Sequence, residues 1–259
     1  MLKCMQTLLE NHELLIILSV ILFFVAVGGM IVWVSLSSFC KNVVLNLEGI
    51  VPPFVTFPAI LFSLSATLTA TTLWENYAAA IRSVQTESQG IATILDISAA
   101  VPILKGSDVP ALAKQYAQSV VRDEWATLTS DHNTSPITRK HYEEFLHVAY
   151  KAVDSLGNNA ESKALMSAIE SVTSGREARL GCVAFDVNQV RLCGIILLGI
   201  LVQLAVAIVH LNKPKALITA VTMATFAVLT PISTITFTAS GPFVGFIAIS
   251  PKPFLQFMK

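Results

Sequence analysis

Long uncharged runs alternate with mixed, helix-patterned stretches along this chain. Residues 14–36 hold 23 consecutive uncharged positions after a short polar start, enough to cross a bilayer core with some tilt. A second run covers about 54–74 and ends at Trp74, an aromatic at interface depth. Two more cover about 192–209 and 216–238, and the six-residue turn at 210–215, with His210, Lys213 and Lys215, makes them an antiparallel pair. Between the second and third runs, residues 75–191 carry nearly all the charge and repeat apolar positions at three and four, the helical period.

The stretch 58–100 has no Pro after its first residue. One helix of that length spans roughly 60 Å at about 1.5 Å per residue, twice a bilayer core. Its first half is uncharged, and its second half brings in Glu75, Arg82, Glu87 and Asp96 beside an apolar stripe. The spacing predicts one rod linking membrane to water. Pro52-Pro53 closes the connection before it, a segment at 39–51 with Lys41 and Glu48. Beyond it the helix stops at Pro102, Lys105-Gly106-Ser107 turns the chain, and a capped helix follows over about 111–129, burying Leu112, Tyr116, Val120 and Trp125 on one side. A polar run at 130–135 ends it. Ser135-Pro136 opens the next helix to about Leu156, Gly157-Asn158-Asn159 stops that one, and a further helix from Ala160 carries Arg176 and Arg179. Ser250-Pro251 predicts a brief helix at the end. The fold class expected is all-α, integral to the membrane: an N-terminal hairpin at 1–74, a helical bundle at 75–191 between spans two and three, and a C-terminal hairpin at 192–259.

Composition agrees with a lipid partner. The chain is 54% hydrophobic and 13% charged, with a mean hydropathy of +0.67, outside the range of soluble domains. Net charge is zero and no Lys/Arg block is present, so no nucleic acid is expected as a partner. Lys3 before an apolar run also fits a secretory signal with a cleavage site near Ser35-Leu36-Ser37, but the run is longer than a signal core and favours a membrane anchor. With four crossings, one side holds Lys3, Arg82, Arg176, Arg179, Arg191, Lys252 and Lys259, and the other holds Lys41, Lys213 and Lys215. The positive-inside rule then places the helical bundle and both termini in the cytoplasm.

Catalytic signatures are missing: there is no GxSxG, HExxH, Walker loop or GxGxxG, and the five histidines (His12, His132, His141, His147, His210) are scattered as surface residues. Cys4, Cys40, Cys182 and Cys193 form no CxxC and read as small apolar residues. No metal, cofactor or enzymatic activity is expected. The spans carry no charged residue near mid-bilayer, which disfavours a proton relay. They carry hydroxyls instead. Phe62, Ser65, Thr69, Thr72 and Asn76 recur at three, four, three and four, one face of the second span. Around a ring of such helices this face would line a path whose hydroxyl donors replace part of an anion's hydration, with Phe62 as a constriction. Ser and Thr also serve as small residues at helix contacts and bond back to their own carbonyls. A second row, Ser63, Thr67 and Thr71, lies on another face, so polarity alone leaves the choice of face open. In the bundle, Glu87, Glu124 and Trp125 are candidates for contacts with Arg176 and Arg179, charges paired to hold the helices together.

The order Leu73-Trp74-Glu75-Asn76-Tyr77, Val84 with Glu87, Tyr116, Glu124-Trp125, Arg176-x-x-Arg179-Leu180 and Pro242-Phe243-x-Gly245 resembles the bacterial bestrophin-like domain proteins, from the second span to the C-terminus. That family is distantly similar to bestrophins, pentameric anion channels with four membrane helices, a cytosolic helical domain and a pore lined by the second span. The resemblance implies the same plan here: copies of this chain forming an inner-membrane pore for small anions, lined by Phe62, Ser65, Thr69 and Thr72. Trp74-Glu75-Asn76 lacks the Arg that bestrophins carry after the second span, the neck positions are mostly Ser and Thr, no acidic cluster like the animal calcium clasp is present, and Ser240-Gly241 stands where relatives often have Asp. Selectivity and calcium dependence therefore do not carry over. The competing class is a non-conducting membrane scaffold or sensor whose cytoplasmic helices bind a protein partner.

Overall fold

The computed structural model of the chain describes residues 2–37, 53–130, 134–183, 189–239, 241–245 and 247–258. The expected connection at 39–51 with Cys40, Lys41 and Glu48, the middle of the polar run with His132, and Ser240 and Lys259 lie outside the described residues, as do the side chains of Lys3, Cys4 and His12. Among the described residues every regular element is helical. Four helices are long and apolar enough to cross a membrane, over Leu14–Leu36, Thr56–Ala100, Gln189–Val209 and Pro214–Ala239. The chain forms two compact units, one mainly of Lys3–Trp74 with Asp186–Ser240 and the other mainly of Glu75–Phe185 with Gly241–Lys259.

The first unit packs α1 (Leu2–Leu36), the first half of α2 (Pro53–Ala100), α8 (Gln189–Val209) and α9 (Pro214–Ala239). Lipid tails are as apolar as Leu, so shape rather than hydrophobicity brings such helices together. Glycine notches provide the shape. A Cβ on Gly199 would sit 2.8 Å from Val228 and 3.1 Å from the Phe24 ring, and one on Gly28 would sit 2.8 Å from Thr225 Oγ1. Phe24, Phe62, Ala66, Leu73, Ile195, Val228 and Ile232 fill the space between. α2 starts at Pro53, where a missing N–H costs nothing, and passes Pro58 in its second turn. α9 runs through Pro231 without interruption.

The second unit holds residues 75–100 of α2, the single turn α3 (Pro102–Lys105), α4 (Val109–Ser119), a π-helical turn (Val120–Glu124), α5 (Trp125–Ser130), α6 (Pro136–Leu156) and α7 (Ala160–Val183). Pro102 thus opens a short helix instead of only ending one. Ser135 caps α6, its Oγ accepting from the Thr138 N–H, and Gly157 at φ 70° closes it. The sequence predicts one helix over 111–129; the π-helical turn divides it. The expected terminal helix is 3-10, Lys252–Met258. Phe243, Phe254 and Phe257 from this last stretch are buried in the core with Ile91, Tyr116, Leu128, Phe145 and Ile169.

Candidate functional site

The residue types of α2 decide less than what faces them. Ser and Thr hydroxyls on a membrane helix satisfy themselves against the carbonyl one turn back: Thr69 Oγ1 donates to Ser65 O at 2.9 Å, Thr71 to Thr67 O at 2.9 Å and Thr72 to Leu68 O at 2.8 Å. A row so satisfied packs as readily as a row of alanines. The inward face is therefore set by fit to neighbours, and Phe62 and Thr69 go inside, only 6% and 2% exposed, with Ala66 and Leu73 along the same side. Ser65, Thr72 and Asn76 are half-buried.

Within one protomer the expected lining row is thus split: Phe62 and Thr69 pack against the other helices of the first unit, and Ser65 and Thr72 are half-buried. Asn76 belongs to the second unit, where its Nδ2 donates to Cys182 O at 3.3 Å and satisfies a carbonyl left unpaired near the end of α7. The uncovered side of α2 carries Ile60, Leu64 and Leu68, between 54% and 58% exposed, flanked by the exposed hydroxyls Ser63, Thr67 and Thr71. These are two ladders of four-residue spacing, side by side on one face.

The second unit brings Glu87, Glu124, Arg176 and Arg179 together, and adds Tyr116. Arg179 Nε donates to Glu87 Oε2 at 2.7 Å and its Nη2 to Glu124 Oε2 at 2.7 Å; Arg176 holds both oxygens of Glu124, at 2.9 and 2.7 Å. The Tyr116 hydroxyl donates to Glu87 Oε1 and accepts from Arg176 Nη1 at 3.0 Å. All five are buried. Two carboxylates against two guanidiniums leave the cluster neutral, and the bidentate geometry is what makes burial of such charges tolerable.

Local structure places each partner. A Cβ on Gly175 would lie 2.6 Å from the Glu87 backbone nitrogen and one on Gly90 2.9 Å from Val172 N, so the two glycines let α2 and α7 touch backbone to backbone. Arg176 and Arg179, three apart on α7, then share one face beside Glu87. The π-helical turn shifts the register of its helix by one residue and buries Glu124. Aromatic faces complete the enclosure: Arg176 lies 4.9 Å from the Tyr142 ring centre and Arg179 5.8 Å from that of Trp125. Trp125 Nε1 donates to Ile249 O at 3.2 Å, tying the terminal segment to the same place.

Burial pushes the Tyr116 phenol well above its usual value, and the Glu87 charge adds to this against the opposing arginines. Burial alone would lower the Arg179 guanidinium, but the charge and hydrogen bonds of Glu87, with Glu124, hold it well above its ordinary range. Proton exchange at neutral pH is thereby removed from these groups. The arrangement fixes helices; it offers no exposed acid, base or nucleophile.

Sequence reasoning missed Gln203, the polar residue at the centre of the first unit. It is fully buried, and its Nε2 donates to Thr225 Oγ1 at 2.8 Å and to Phe24 O at 3.3 Å, joining α8 to α9 and α1. A lone amide in an uncharged run of 18 was the available signal. No His/Cys/Asp/Glu cluster able to hold a metal is present among the described residues.

Four apolar helices with a charged, helix-only second unit define a multi-pass, all-α membrane protein. The family model of the bestrophin-like domain matches residues 22–254, and the chain belongs to the bestrophin-like family. It is similar in fold to a bacterial bestrophin homologue from Klebsiella pneumoniae, a point mutant solved by crystallography, with a TM-score of 0.69 at 10% identity over 92% of this chain and 98% of that one. No curated protein matches the chain by sequence.

Proposed function

We propose that this protein is a pentameric channel for small anions in the inner membrane, with α2 of each copy facing the axis and the helical unit and both termini in the cytoplasm. The observation that carries the reading is the uncovered face of α2. Its apolar ladder, Ile60, Leu64 and Leu68, would form a dewetting constriction, and the hydroxyls beside it, Ser63, Thr67 and Thr71, would turn from the helix carbonyls that Ser63 and Thr71 bond here to donate to a partly dehydrated anion, without trapping it on a fixed charge. Of the residues expected from sequence to line the path, Ser65 and Thr72 would stand at the edges of this face, and Phe62 and Thr69 behind it.

Membership of the bestrophin-like family and likeness in fold to a bestrophin homologue support the channel plan. Orientation rests on the Lys/Arg count. Arg176 and Arg179 are buried and ion-paired, so the seven basic residues of one side fall to five, Lys3, Arg82, Arg191, Lys252 and Lys259, against Lys41, Lys213 and Lys215. The sign of the bias is unchanged.

The test is chloride or iodide flux from liposomes holding the purified protein, with its oligomer mass measured in detergent. Flux above that of empty vesicles from a five-copy assembly supports the reading. A monomer, or flux equal to that of empty vesicles, sinks it and leaves the scaffold class standing.

A further inference from the structure

α2 is one helix from Pro53 to Ala100, so the side of it left uncovered in the first unit can be followed along the same rod by counting. Five full turns take 18 residues and return to the same side. Leu64, Thr67, Leu68 and Thr71, all exposed, are matched 18 residues further on by Arg82, Gln85, Thr86 and Gln89, which are exposed as well. Glu75 lies between the two sets, and Thr93 and Asp96 carry the exposed stripe towards the end of the helix. Val84, Glu87 and Ile91, on the opposite side, are buried.

The chemistry of the stripe changes along it. In the membrane-crossing part large apolar side chains stand beside hydroxyls. From Glu75 to Asp96 every exposed position is polar. A face that packs on another protein has an apolar centre depleted of charge; this stretch is built to meet water.

Three charges stand on it. Glu75 and Arg82 are two turns apart, about 10 Å along the helix, and Asp96 lies about 21 Å beyond Arg82. Among the described residues none of the three takes part in an ion pair. Charges in water are screened over about 8 Å at physiological ionic strength, so the three act one at a time instead of as a sum.

We infer that Arg82 is the residue that selects for anions along the proposed path, and that Glu75 is a counter-charge that keeps this selection weak. The inference deepens the channel reading and rests on it for the path itself. With α2 of every copy about the axis, each subunit adds one guanidinium at the level of Arg82 and one carboxylate at the level of Glu75. A halide leaving the uncharged membrane stretch passes the carboxylates first, which lower its local concentration and raise that of its counter-cation. It then meets the guanidiniums, which do the reverse. The Arg82 charge is permanent and stands in water, so it concentrates the ion without stripping its hydration or holding it.

The experiment is the reversal potential of the full chain in planar phosphatidylcholine bilayers under a potassium chloride gradient near physiological ionic strength. Arg82→Gln should lower the chloride-to-potassium permeability ratio several-fold, and Arg82→Lys, which keeps the charge, should leave it at the wild-type value. Glu75→Gln should raise it. Both positions are exposed, and damage to the fold removes current without driving two variants to opposite selectivity. Lys151→Gln, an equal change of net charge on the exposed side of α6, should leave the ratio unchanged. Wild-type current whose reversal potential neither Arg82→Gln nor Glu75→Gln moves overturns the inference and keeps the channel. Shifts of the same sign in those two variants, or a shift in Lys151→Gln equal to that in Arg82→Gln, do the same. No current from the wild type sinks the channel reading, and this inference with it.

Discussion

Arg179 and Glu87, on α7 and α2, meet at 2.7 Å with both side chains fully buried. Either charge left there without the other would be buried and under-compensated, so each makes the other's position obligatory. Glu87→Gln removes the charge and leaves Arg179 half-compensated in an apolar core. We expect it to cost about 3 to 5 kcal/mol of stability, read by thermal or denaturant unfolding of the detergent-solubilised protein. The double replacement Glu87→Gln with Arg179→Met should recover most of that loss, because it removes both buried charges at once.

The backbone crossing of α2 and α7 gives a sharper test. At Gly175 a methyl group would meet main-chain atoms of Glu87 at 2.6 and 2.8 Å, and main chain cannot swing aside as a flexible side chain can. Gly175→Ala should destabilise by roughly 1 to 3 kcal/mol despite the better helix propensity of Ala. Gly29→Ala, with nothing within 4 Å, should be neutral or stabilising by up to about 1 kcal/mol. The comparison is made by melting both variants beside the wild type.

Two threonines of α2 test the proposed lining against packing. Thr67 is exposed and Thr69 is 2% exposed. Thr67→Leu should lower chloride flux several-fold in liposomes and leave the melting temperature nearly unchanged. Thr69→Leu overpacks a filled space and should cost about 1 to 3 kcal/mol, visible as a lower melting temperature. Equal flux in Thr67→Leu and wild type would remove Thr67 from the path.

Tyr116 predicts a pH limit. Its phenol titrates higher in the fold than the usual value of about 10, because burial penalises the phenolate. The stabilisation tied to it is complete below that ordinary value. It is lost as pH rises toward the folded value, since the unfolded chain then gives up the proton more readily. Stability measured from neutral pH upward should stay level with respect to this group and then fall above about pH 10. Tyr116→Phe should remove that part of the alkaline slope at a cost of about 1 to 3 kcal/mol at neutral pH.

In the first unit, Gln203→Leu should cost only about 0.6 to 1.7 kcal/mol, because helices left in lipid find other partners for their polar groups. A larger loss on unfolding would mean that Phe24 O, Thr225 Oγ1 and Gln203 act as one cooperative clasp.

The spans were legible in the sequence because crossing a membrane needs length and apolarity, and both are composition. Ser135-Pro136 was legible as a cap because its chemistry is local. Arg176 and Arg179 could be paired on paper with Glu87 and Glu124 because their spacing puts the arginines on one face and a buried charge needs a partner. The inward face of α2 was not legible. Ser and Thr occupy both sides of it and carry little preference, so Phe24, Ile195, Val228 and Ile232, far away in sequence, decide that Phe62 goes inside. The π-helical turn at Val120–Glu124 escaped for a related reason: only a tertiary demand, the need to bring Glu124 to two arginines, makes the irregular turn worthwhile.

The last stretch of the chain is stitched to the second unit through Tyr77 to Ile247 O at 2.7 Å, Ser88 to Pro253 O at 2.8 Å and Gln118 to Phe257 O at 3.3 Å. Those residues leave the ribosome only after α8 and α9 have been made. A nascent chain thus carries a half-built bundle, with the seats for Phe243, Phe254 and Phe257 vacant, throughout synthesis of its final two spans. Completion of the bundle waits on delivery of the fourth span, so a polypeptide whose last hairpin fails to insert is left with an open core.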